Sequence, residues 1–156
     1  MIFLGKTTAY WIEKYGGYLI GLSVFIIFML WIKPEYYSYK ELIQEIPSIG
    51  MCAFGFMLTF LGIVLQGNSQ TIEYMKSRKT LYAQFIYYNK IVVILSLVIS
   101  LYSYIIGYVE IHVNIINFIP YYIHLKEIFI ALFWGTLAKF VFDLCVFVKI
   151  FYLLLK

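Results

Sequence analysis

The stretch IPSIGMCAFGFMLTFLGIVL, residues 46–65, carries no charge, and the charge-free run around it lasts 27 residues between Glu45 and Glu73. A hydrocarbon core about 30 Å thick is crossed by about 20 apolar helical residues, so this stretch reads as a membrane span. Working outward, 19 charge-free residues between Lys90 and Glu110 give a second such run, residues 91–109. Residues 15–32 and 128–148 supply two more. The composition agrees: of 156 residues, 63% are hydrophobic and 13% charged, whereas soluble domains have about 25% charged residues. With a mean hydropathy of +0.88, a soluble globule is excluded, and four spans leave no room for a soluble catalytic domain. So few strands could not close a barrel, and an open sheet would leave backbone groups unpaired in lipid. The expectation is one all-α integral membrane domain, a bundle of four transmembrane helices.

The fourth span is the marginal one. It holds Lys139 and Asp143, which cost roughly 2.5–3.5 kcal/mol each at a helix centre. Its 13 Leu, Ile, Phe and Val residues contribute roughly −0.3 to −0.6 kcal/mol each, so the sums nearly cancel and packing against the other helices must complete insertion. Four apart, Lys139 and Asp143 share a helix face and can neutralise each other. Intramembrane charges face a bundle interior or a wet cavity and mark function, although a pair that only fixes how the span docks fits the residues equally well. The first run ends at Trp31-Ile32-Lys33-Pro34 without a small-residue cleavage site, so it is expected to stay as a span. Lys6, Lys14, Lys76, Arg78, Lys79, Lys90, Lys149 and Lys156 fall on one side of the membrane and Lys33, Lys40 and Lys126 on the other. Eight against three predicts cytoplasmic termini and a cytoplasmic 66–90 segment.

Small and polar residues recur along the second span at Ser48, Cys52, Gly55, Thr59, Gly62 and Gln66, in steps of 4, 3, 4, 3 and 4. The third span repeats the phase with Ser96, Ser100, Ser103 and Gly107, flanked by Asn89, Glu110, Asn114 and Asn117. A 3.5-residue period keeps one face against a neighbour, and small side chains let backbones approach in lipid. Two readings follow: close packing within one chain, or an oligomer face whose hydroxyls line a hydrated path. The prolines, Pro34, Pro47 and Pro120, fall at expected span ends, unlike the broken helices of transporters. Cys52 and Cys145, inside spans, read as packing residues rather than as a disulfide or metal pair.

After Gly67-Asn68-Ser69 the 66–90 segment reads as an amphipathic cytoplasmic hairpin. Lys76, Arg78 and Lys79 beside Tyr82 and Phe85 could grip anionic lipid headgroups or a soluble partner protein, or serve only as topology markers. Three cations without a glycine cradle give no reason to expect nucleic acid. Glu110, His112, His124 and Glu127 are zinc-binding types in a spacing that matches no closed site, so neither metal nor cofactor is expected. No nucleophile, base and orienting acid come together in the sequence, and the expectation is a protein that is not an enzyme.

Gly55–Ile63, then Ser69, the helical 72–88 segment with Tyr82, Phe85, Ile86 and Tyr87, and the Ser-rich third span resemble small four-helix bacterial membrane proteins that accompany phage-defence loci. The likeness covers about residues 50–105. It implies a homo-oligomeric subunit of the bacterial inner membrane that senses or anchors, or perturbs the membrane, together with a cytoplasmic partner. Two other readings of the residues remain open: a holin-like pore or bacteriocin-immunity protein acting alone, and a small transporter using Lys139 and Asp143.

Overall fold

Apolar runs of this length have one economical solution in lipid, since only a helix satisfies every backbone N–H and C=O within its own segment. The computed structural model describes residues 6–32, 40–67, 70–108 and 125–155, and among these only Gly67 and Arg78 are not helical. Helix α1 (Lys6–Ile27) runs on into a π-helical turn at Phe28–Ile32. Helix α2 is Lys40–Gln66, the short α3 is Gln70–Ser77, α4 is Lys79–Tyr108 and α5 is Leu125–Leu155. Ser69, Pro34, Pro120, Glu110, His112, Asn114, Asn117 and His124 lie outside the described residues.

Among the described residues three helices are long and apolar enough to cross a membrane: Glu41–Gln66, Lys79–Gly107 and Glu127–Leu153, with Tyr15–Trp31 a shorter apolar helix. At 1.5 Å per residue the shortest of the three is about 39 Å long, more than the hydrocarbon thickness. These are the dimensions of a multi-pass membrane protein. The expected 66–90 hairpin divides unevenly. Arg78 is its bend, and everything from Lys79 onward belongs to α4 without a break into the third span.

Pro47 does not sit at a helix end. It lies two turns inside α2, where it has no N–H to give the carbonyl of Ile43. The hydroxyl of Ser103 on α4 donates to that carbonyl instead, which is how Pro is tolerated in a membrane helix.

The long helices pack in the order α2, α4, α5, α1, each antiparallel to its neighbour, so that α1 and α2 form the two edges of a row. Each contact has its own chemistry. Between α2 and α4 it is small against polar: a Cβ at Gly50 would collide with the Ser100 hydroxyl and stand 3.0 Å from the Ser96 carbonyl. Between α4 and α5 it is aromatic. Tyr102 donates to the Phe129 carbonyl at 2.8 Å, and the Phe85 and Phe147 rings meet at 5.2 Å. Phe60 of α2 reaches into the same cluster, 5.0 Å from Phe151 and edge-on to it. Between α1 and α5 the contact is glycine against glycine: a Cβ on Gly21 would lie 2.8 Å from the Gly135 carbonyl, and one on Gly135 2.7 Å from that of Gly21. In lipid, where apolar burial gives no net drive between helices, this close approach is the source of attraction.

Candidate functional site

Lys139 and Asp143 straddle residue 140, the midpoint of α5, so they lie where charge is most costly. The structure joins them in an ion pair one helical turn apart. Asp143 is 3% exposed. What covers the pair is α1: a Cβ on Gly17 would stand 2.6 Å from Asp143 Oδ1, and one on Gly21 would stand 3.3 Å from Lys139 Cβ. Tyr18 closes the lysine side, its ring 4.3 Å from Lys139 Nζ, a cation–π contact strengthened by the low dielectric. The arrangement cancels two charges locally and leaves their side chains only 14% and 5% exposed. Sequence reasoning found the pair but missed its cover, although Gly17 and Gly21 stand in the G-x-x-x-G spacing that marks close helix approach.

The two small-residue stripes part company. On α4, Ser96, Ser100, Ser103 and Gly107 are buried against α2, as is Asn89. The hydroxyl of Ser96 donates to Val93 O and that of Ser100 to Ser96 O, both at 2.8 Å, so these serines are bonded to backbone inside the chain. Asn89 Nδ2 donates to Met57 O at 3.4 Å, while its Oδ1 is buried without a hydrogen-bond partner. On α2 the stripe is turned away. Ser48, Cys52, Gly55, Thr59 and Gln66 are exposed and Gly62 is half-buried; a Cβ at Gly55 or Gly62 would meet nothing within 4 Å. The face of α2 that does touch α4 holds Ile43, Ile46, Gly50, Met57 and Val64, all buried. Gly55 lies about 140° round the helix from Gly50 at 3.6 residues per turn. Hence α2 has two faces of opposite destiny, and the two stripes do not form one surface.

The basic segment is largely occupied at home. Lys76 Nζ donates to Leu65 O and Gly67 O at 3.4 and 3.3 Å, over the C-terminus of α2. Arg78 reaches Leu153 O near the end of α5 at 3.4 Å and stacks on the Tyr74 ring, whose hydroxyl it also contacts. Both cations sit where the helix dipole favours them. Lys79 is exposed and Tyr82 half-buried, but Phe85 is at 0% exposure inside the aromatic cluster and does not face outward as a docking residue would. Comparison of the chain with known protein families, with curated proteins and with solved structures finds no match.

Proposed function

We propose that this chain is a non-catalytic subunit of a bacterial inner membrane that crosses four times, with both termini and α3 in the cytoplasm, and that pairs with a second copy through the outward face of α2. One observation carries the reading: α2 bears a periodic small-residue face, 48, 52, 55, 59, 62 and 66, on the side that none of the other described helices packs against. Small residues at helical spacing allow close backbone approach and are of no use against lipid tails alone. Topology rests on the eight-to-three distribution of Lys and Arg. The resemblance of residues 50–105 supports a place in an antiviral defence system, beside a cytoplasmic partner protein.

Within that role, an anchor or sensor is favoured over a constitutive pore, because the hydroxyls of α4 are already bonded to backbone and buried. Transport is disfavoured by the cover over Lys139 and Asp143. Cys52 lies on the proposed face and Cys145 does not, which supplies a test without engineered cysteines. Oxidation in native membrane vesicles should give a disulfide-linked dimer in wild type and Cys145→Ser, and none in Cys52→Ser or Gly55→Leu. Absence of the dimer in wild type would refute pairing through this face. Dye retention by liposomes holding the protein is expected; spontaneous leakage would establish the pore reading instead.

A further inference from the structure

On its outer side the α1·α5 contact opens into a groove of about 470 Å³, lined by Ile20 and Val24 of α1 and by Trp134, Ala138, Val141 and Cys145 among the residues of α5. The lining is apolar because the charges of α5 are held elsewhere: Lys139 and Asp143 point into the α1 contact and are not part of the groove wall. The small side chain of Ala138 keeps the floor low between Trp134 and Val141. From Trp134 to Cys145 the groove follows 11 residues of α5, about 16 Å at 1.5 Å per residue. It straddles residue 140, the midpoint of α5, and from there to residue 149 is about 14 Å, close to the depth of one leaflet.

What stands at the end of the groove gives its occupant a charge. Lys149 is exposed and lies four residues beyond Cys145, on the same face of α5. Exposed Tyr152 follows three residues later. Across from them, on the first turns of α1, Trp11 and Tyr15 stack at 5.1 Å and are both exposed, the kind of aromatic pair that sits at headgroup depth. Basic side chains outnumber acidic ones in this half of the molecule. Among the described side chains it carries Lys76, Arg78, Lys79, Lys90 and Lys149 against Glu73, while the far end carries Glu41, Glu45 and Glu127.

We propose that this groove binds one anionic phospholipid, with an acyl chain along Ala138, Val141 and Cys145 and the phosphate on Lys149. The site rests on the chain crossing a membrane and not on self-association, because α2 is at the opposite edge of the row. A zwitterionic lipid fills the groove with the same tail, and the lysine selects the headgroup. One cation near the surface gives about a fivefold preference.

The test is native mass spectrometry of protein taken from vesicles of equal phosphatidylglycerol and phosphatidylcholine. Wild type should retain phosphatidylglycerol about fivefold over phosphatidylcholine, and millimolar inorganic phosphate should not displace it. Lys149→Gln should keep the amount of bound lipid and lose the preference. Ala138→Trp should lose both lipids. As a second readout in wild type, phosphatidylglycerol should slow maleimide alkylation of Cys145. Equal retention of the two lipids, an unchanged preference in Lys149→Gln, or displacement by inorganic phosphate would overturn the proposal. So would a Cys145–Cys145 disulfide between copies, which would make the groove a protein contact. The Cys52 cross-link reports on the other edge and should be the same in both variants, so failure here and failure of the pairing through α2 are told apart.

Discussion

The hydroxyl of Ser103 donates to the carbonyl of Ile43, the carbonyl that Pro47 leaves without its helical donor. A defect in one helix is thereby repaired by its neighbour, and the repair fixes the register of the α2·α4 pair. It holds Gly50 opposite Ser96 and Ser100, and Met57 opposite Asn89.

Removing the repair should therefore be costly only while the defect is present. Ser103→Ala is expected to destabilise the folded protein by about 1 kcal/mol, within the range for an orphaned buried carbonyl. Pro47→Ala restores the missing N–H, and in that background Ser103→Ala should cost less than half as much. Unfolding in mixed micelles of the four proteins gives the coupling directly; additive costs would show that Ser103 and Pro47 act separately.

The ion pair gives a comparison of the same form. Lys139→Met alone leaves the Asp143 carboxylate without its countercharge in the α1·α5 contact and should cost about 3–5 kcal/mol, whereas Lys139→Met with Asp143→Leu should recover most of it. The same unfolding assay reads both. A double variant as unstable as the single would mean that the pair itself, and not merely its neutrality, holds α1 in place.

The two faces of α2 should separate folding from assembly. Gly50→Leu puts a side chain into Ser100 and the Ser96 carbonyl and should abolish the folded monomer. At Gly55 a Cβ meets no atom within 4 Å, so Gly55→Leu should leave stability within about 0.5 kcal/mol of wild type while removing the Cys52 cross-link. Loss of the monomer in Gly55→Leu would contradict an open face.

Arg78 ties the bend before α4 to the end of α5 through Leu153 O. Arg78→Gln should loosen that end and leave the rest of the helix alone. Hydrogen exchange should accelerate in the last turn of α5, with no change around residues 130–146.

Much of this fold was legible because charge is scarce in the sequence. The gaps between Glu45 and Glu73 and between Lys90 and Glu110 mark two of the long helices on length alone, and i,i+4 spacing was enough to pair Lys139 with Asp143. The periodic stripes were equally visible, but periodicity reports that a face exists and is silent on its direction. Ser100 and Gly55 have the same phase in their helices, and one is buried while the other is open. Pro47 was misplaced because a proline near the start of an apolar run reads as a helix start, and its real compensation comes from Ser103, 56 residues further on. The role of Lys76 was hidden for a similar reason. Backbone carbonyls at and just past the end of α2 are its partners, and backbone leaves no mark in a sequence.

The order of the row differs from the order of the chain. Helix α5 follows the other described helices in the chain, yet it holds an interior place, between α4 and α1. Among the described helices α1 packs against α5, so its glycine face has no glycine to meet until α5 is made. In the four-span arrangement proposed above, the helix that carries two charges thus arrives after both of its flanks, and it can insert as a wedge between standing partners rather than as a pioneer. Chain order thus brings Lys139 and Asp143 after Gly17, Gly21 and Tyr18, the residues that receive them.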